Sequence, residues 1–206
     1  MAPRAVLFDL LTALLDSWSL WDRVAGSREA GRRWRARYLA ATYGEGRYRR
    51  YETMVREAAA ACGLPGTLAD DLAARYGSLD PWPEVGEVLG ALAGRVRLGV
   101  VTNCSEALAR IAAARTGIRF DAVVSAERAG WYKPRPEPYR LALAELGVPP
   151  AEALFVAGSA YDLVGAAAVG MTVFWHDRAG MAAPPGAPPP LARCDDLRPL
   201  LPLVTG

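Results

Sequence analysis

The pattern of apolar and polar positions changes character twice along the chain. Residues 5–8 form an unbroken apolar run, Ala-Val-Leu-Phe, that ends at Asp9. A short run of strand formers without polar alternation is expected of a strand covered on both faces, as in a parallel sheet. Between residues 17 and 79 apolar positions recur at helical spacing, broken by Gly44 and Gly46 and punctuated by Leu64-Pro65-Gly66. That stretch predicts several helices and no strand, an inserted helical cap. Beyond Pro81 and Pro83 a regular alternation begins, with a helix over 85–92, a strand over 96–101, a helix over 106–115 and a strand over 122–125. It continues with a helix over 136–146, a strand over 153–156, a helix over 163–169 and a strand over 172–175. Residues 183–190 read as a Pro-rich connector and 195–203 as a short terminal helix.

Strands alternating with helices imply right-handed crossovers and an α/β fold with a mostly parallel sheet. In such a sheet reactive groups gather where strands end at their carboxyl edge. Asp9, Thr102-Asn103, Ser125-Ala126 and Ala157-Gly158 all follow predicted strands, so a functional site should be assembled from them.

Composition narrows the partners. The chain has 206 residues, 52% of them apolar, enough for one substantial core carrying a smaller insert. Positive and negative residues nearly cancel, leaving a net charge of +2. Arg28, Arg32, Arg33, Arg35, Arg37, Arg47, Arg49 and Arg50 nevertheless crowd one region, interleaved with Trp34, Tyr38, Tyr43 and Tyr48. Nucleic-acid binders share that pattern, but a solvated helix face accounts for most of it, and the strand ends offer one or two arginines a better use. No nucleic-acid partner is expected. Cys62, Cys104 and Cys194 form no CxxC motif, and the single His176 lies far from all three, so neither a disulfide framework nor a zinc site is predicted. The first strand meets Asp9 before a signal-peptide core could form, and no apolar run reaches membrane-spanning length. The expectation is a cytoplasmic protein with no membrane partner.

The strand ends carry the candidate chemistry. An ionised carboxylate closing a buried apolar strand is costly unless it is hydrogen-bonded or used. Asp9 therefore reads as either a turn cap or a nucleophile. Thr102 and Asn103 can donate hydrogen bonds to an anionic group beside it. Lys133, held between Tyr132 and Pro134 on a stiff approach to the next helix, could keep Asp9 charged. Asp162 falls in a helix first turn, where negative charge is favoured.

Taken in order, strand-Asp9, the helical insert, Thr102-Asn103, Lys133-Pro134 and the glycine/Asp162 segment resemble the haloacid dehalogenase superfamily over nearly the whole chain. The resemblance implies a Rossmann-like parallel-sheet core from residues 1–16 and 80–206, with residues 17–79 as an all-helical cap over the site. The superfamily's phosphatases carry a second aspartate two positions after the nucleophile and another that holds magnesium. Those positions are Leu11 and Gly158 here. The branch lacking both is similar to the 2-haloacid dehalogenases, which work without metal. Tyr139 lies six residues after Lys133, as in that branch, and Ala160-Tyr161-Asp162 resembles its Ala-Trp-Asp. The alignment places Arg32 where the family grips the leaving halide or carboxylate, with Tyr51 lining the pocket.

The resemblance implies that Asp9 displaces halide from a small 2-haloacid to form an ester, which water activated near Asp162 and Lys133 then hydrolyses. Thr102, Asn103, Thr12 and Ser159 would hold the anionic substrate, and no cofactor is needed. The usual loop threonine aligns with Ala13, and a serine and an asparagine that position water align with Ala157 and Ser159. These departures leave two alternatives open: a phosphatase of a small metabolite with an atypical magnesium site, and a non-catalytic binding protein of the same fold. The aromatics Trp18, Trp21, Trp34 and Tyr38, with Leu20, leave open a pocket lining, a homodimer interface or simple core packing.

Overall fold

A computed structural model describes residues 2–205. Strand β1 (Ala5–Asp9) is followed by one wide π-type turn, Leu10–Leu14. Then come four helices, α1 (Ser17–Ala25), α2 (Arg28–Glu45), α3 (Tyr51–Ala61) and α4 (Leu68–Ala74). The chain re-enters through α5 (Val85–Leu92), β2 (Arg97–Thr102), α6 (Glu106–Ala114) and β3 (Ala122–Ser125). A single turn α7 (Ala126–Ala129) leads to α8 (Pro136–Leu146), β4 (Ala153–Ala157), α9 (Asp162–Ala168) and β5 (Thr172–His176). A short strand β6 (Ala192–Cys194) and helix α10 (Leu200–Thr205) complete the described chain.

All six strands pair in parallel in the order β3-β2-β1-β4-β5-β6. Within β1, Val6 and Phe8 pack into the core on one face, and Ala5 and Leu7 into the core on the other. Burial on both faces is why the strand reads as a continuous apolar run. Strand order reverses beside β1: β2 and β3 extend to one side, β4 to β6 to the other. The carboxyl ends of β1 and β4 therefore flank a topological switch point, where open parallel sheets form their crevice.

The four helices between residues 17 and 74 share the core face that contains Phe8 and Val156, through Leu20, Trp21, Trp34, Tyr38 and Tyr51. Both chain crossings between these helices and the sheet are fastened together. Leu15 bridges Pro81 antiparallel, and Asp16 donates its N–H to Asp80 O at 2.8 Å. A second antiparallel bridge joins Arg47 to Trp131.

Two expectations at the C-terminus need correction. Residues 192–194 form an edge strand that the sequence did not reveal. Ala-Arg-Cys has neither alternation nor branched residues, and only its pairing with β5 makes it a strand. The terminal helix begins at Leu200 rather than 195, because Pro199 disfavours helical backbone at Arg198.

Candidate active site

Asp9 ends β1 and also caps the turn that follows. Its Oδ2 accepts hydrogen bonds from the Thr12 N–H at 2.9 Å and from the Thr12 hydroxyl. Its Oδ1 accepts one from Lys133 Nζ at 2.8 Å. The same ammonium lies 3.1 Å from Asp162 Oδ1, and Tyr139 donates its hydroxyl proton to that oxygen at 2.7 Å. All five side chains are buried. A buried ammonium between two carboxylates is held by charge-assisted bonds stronger than neutral ones.

Local sequence explains how these groups meet. Asn103 Oδ1 accepts from the Lys133 N–H at 2.8 Å and its Nδ2 donates to Lys133 O at 3.0 Å, pinning the loop that delivers the lysine. The Lys133–Pro134 peptide is cis. Gly165 lets α9 close on that loop, since a Cβ there would lie 2.6 Å from the Tyr139 hydroxyl and 2.7 Å from Pro134 O. Gly158 does the same for the turn after Asp9: any side chain there would meet the backbone of Thr12 and Ala13.

The electrostatics separate the two aspartates. Burial pushes the Asp9 carboxyl up, but Lys133 and the Thr12 hydrogen bonds outweigh it and hold the group below its ordinary range. Burial dominates at Asp162 and, with Asp9 adding repulsion against the pull of Lys133, raises it to about 6. Lys133 is disfavoured by burial, yet the two carboxylates hold it above its ordinary value. Two buried acids with separated pKa values are arranged for separate roles.

A cavity opens on these groups with about 40 Å³ free for the centres of water-sized molecules. Asp9, Thr12, Asn103, Lys133, Ser159 and Asp162 contribute to it from the sheet side. From the helical side come Trp18, Arg35, Tyr38, Leu39 and Tyr43. Tyr38 also donates to Asn103 O at 2.6 Å, while the Tyr43 hydroxyl lies 2.9 Å from Ser159 Oγ and its ring stacks on Tyr161 at 3.8 Å.

Four of the expected residues lie elsewhere. Arg32 pairs with Asp22 at 3.8 Å and packs on Trp18, outside the cavity lining. Arg35 takes its place. Helix α2 turns Gly31, Trp34, Arg35, Tyr38 and Thr42 inward, and Arg32, about 100° around the helix from Gly31, lies at the edge of that face. The Arg35 guanidinium sits 3.9 Å above the Trp18 ring, 4% exposed, with Nε and Nη1 lacking any hydrogen-bond partner. An arginine one residue past Trp34 and three before Tyr38, on an aromatic helix face, was the available signal. Thr102 turns its hydroxyl to Cys104 Sγ at 3.7 Å, away from the cavity. Tyr51 is one layer back, edge-on to Tyr38 with its hydroxyl on that of Tyr76. Tyr139 reaches the site only through Asp162. Tyr43 was not anticipated; it enters the site by way of the fold's contact between α2 and the turn at Ser159.

Comparison with known proteins agrees with this geometry. The family description haloacid dehalogenase-like hydrolase matches residues 4–170. The (S)-2-haloacid dehalogenase of Xanthobacter autotrophicus is 31% identical over 190 residues, covering 82% of this chain and 73% of the relative. The solved structure of the L-2-haloacid dehalogenase from that organism with chloropropionic acid covalently bound superposes with a TM-score of 0.87 at 27% identity, covering 99% of both chains. The L-2-haloacid dehalogenase RSc1362 superposes with a TM-score of 0.85 at 29% identity over 100% of both chains. A parallel sheet with its carboxylate at the switch point, and a match running from the first strand through α9, have one common account: the chain belongs to the haloacid dehalogenase-like hydrolases.

Proposed function

We propose that this hydrolase removes halide from a small 2-haloacid with Asp9 as nucleophile and no metal, beneath a helical cap formed by residues 17–79 on a core of residues 1–16 and 80–206. The observation that carries the reading is the Asp9 carboxylate itself. It is buried, held charged by Lys133 at 2.8 Å, and shares its cavity with an arginine whose buried donors have no protein partner. A desolvated carboxylate facing a free guanidinium suits displacement of one anion by another. The relatives' names and the covalent chloropropionic adduct in one of them support the same chemistry.

In the first step an Asp9 oxygen attacks the α-carbon, an ester bond forms, and halide leaves with the bonding pair toward Arg35. The stack of Arg35 on Trp18 leaves the guanidinium edge free for that anion or for the substrate carboxylate. In the second step water attacks the Asp9 carbonyl carbon, Asp162 takes its proton, and the 2-hydroxyacid departs as Asp9 is regenerated. Asp162 is suited to this because its raised pKa places it near neutrality.

Magnesium chemistry fits the residues poorly. A hard divalent ion needs several oxygen ligands, but Leu11 offers none and Gly158 has no room for a side chain. The Lys133 ammonium already occupies the space between Asp9 and Asp162. Among the described residues no three His, Cys, Asp or Glu side chains gather.

A single turnover of 2-chloropropionate in heavy-oxygen water tests the reading by mass spectrometry. Label should enter Asp9, and Asp9→Asn should lower turnover by about four orders of magnitude. Labelled product beside unlabelled Asp9 would remove the ester mechanism. A parallel phosphate-release screen with and without magnesium should give no signal.

A further inference from the structure

The chain's single histidine has no part in the chemistry above, yet His176 is fully buried at the end of β5 with both ring nitrogens engaged. Nδ1 lies 2.8 Å from Ala13 O. A carbonyl only accepts, so this nitrogen carries the proton. Nε2 accepts from Arg178 Nε at 3.0 Å and carries the lone pair. The partners thus select one neutral tautomer.

Ala13 belongs to the π-type turn that carries Thr12. Three successive carbonyls of that turn are each held by a side chain from a different segment. The Ser17 hydroxyl donates to Leu11 O, Trp82 Nε1 to Thr12 O at 3.0 Å, and His176 Nδ1 to Ala13 O. On the opposite side the Thr12 N–H and hydroxyl face Asp9 Oδ2. A π-type turn is rare and often marks a functional site, and here three of its carbonyls are held from outside it. We infer that His176 is a positioning residue: by donating to Ala13 O it fixes the turn that presents Thr12 to the Asp9 carboxylate.

The surroundings keep the ring neutral. Burial lowers its pKa and prevails; the hydrogen bond to Ala13 O raises it, Arg178 after β5 lowers it, and Glu84 before α5 and the Asp195 backbone raise it by less. Glu84 Oε1 lies 3.4 Å from Nε2 but is committed to Arg178 and to the Leu197 N–H.

The inference rests on Asp9 being the reacting carboxylate, and two substitutions test it. An asparagine amide nitrogen can occupy the place of Nδ1, whereas a glutamine amide reaches only the place of Nε2. His176→Asn should hold kcat for halide release from 2-chloropropionate within about threefold of wild type. His176→Gln should lose about tenfold or more in kcat with KM little changed, because small misplacements of reacting groups are costly. The two variants should melt at similar temperatures. Independently of activity, carbon NMR of the Asp9 carboxyl should show its pKa rising by about half a unit or more in His176→Gln and staying put in His176→Asn. Nitrogen NMR of untagged protein should find the Nδ1–H tautomer. Equal losses in both variants, or an unmoved Asp9 pKa in His176→Gln, would reduce His176 to packing. A wild type that releases no halide would sink the ester reading and leave the Asp9 titration to decide the role of His176.

Discussion

Replacing Lys133 with methionine isolates the charge at the centre of the site. The side chain keeps its volume and burial while the ammonium between Asp9 and Asp162 disappears. At 2.8 Å from Asp9, a unit charge pair is worth about 6 kcal/mol at an effective dielectric of 20, before desolvation is subtracted. Breaking a buried pair by removing one partner typically costs about 3–5 kcal/mol. For a chain of this length that corresponds to a fall in Tm of about 6–20 °C. Two buried carboxylates without a cation cannot both stay ionised near neutral pH, so one takes up a proton. That proton goes first to Asp162, whose pKa is already the higher of the two. Turnover should therefore fall by about three orders of magnitude or more, as the proposed base is lost and Asp9 loses the ammonium that holds it.

The pH dependence of the stability gap gives the sharper check. Asp9 has its folded pKa below the ordinary 3.8, so its contribution is present above that pH and lost as pH falls through the folded value. Lys133 has its folded pKa above 10.5, so its share is present below that pH and lost as pH rises through the folded value. Asp162 acts in the opposite sense: its rise to about 6 means that ionising it costs stability as pH climbs from 3.8. Calorimetry across pH should therefore show the gap between wild type and Lys133→Met widest between about pH 5 and 10 and shrinking in acid. A gap constant from acid to alkali, or no gap at all, refutes the ion-pair argument.

Halide release by the wild type should rise with pH through an apparent pKa near 6, as Asp162 ionises to act as base; a flat profile from weakly acid to neutral pH would assign the proton to another group. Arg35→Met should cut turnover by about a hundredfold or more while leaving Tm unchanged or higher, because it removes a buried, unpartnered charge. Arg32→Ala should change turnover by less than about threefold, and kinetics that reverse this order would return the anion-binding role to Arg32. Gly158→Ala should cost about 1–3 kcal/mol in denaturant unfolding, because its Cβ meets the backbone of Thr12 and Ala13; an unchanged midpoint would mean that the turn after Asp9 yields.

The sequence by itself determined the framework. Residues 5–8 are apolar without alternation because β1 is covered on both faces, and helix and strand periods alternate after residue 81 because parallel strands need crossovers. Those two facts place Asp9, Asn103 and the Ala157-Gly158 end that leads to Asp162 at one sheet edge, whereas Lys133 joins them only through its Pro-flanked loop and the family resemblance. Tertiary structure alone decided which polar groups face the cavity. Arg32 and Arg35 are the same residue type on one helix, and only the docking of α2 against Trp18 and the sheet turns Arg35 inward. Thr102 and Asn103 are adjacent, yet one turns to Cys104 while the other pins Lys133. The edge strand at Ala192–Cys194 exists through its partner β5. Periodicity reports which face of an element is buried, whereas the angular position of one side chain, and the partner its lone pairs meet, are set by how elements from distant parts of the chain pack together.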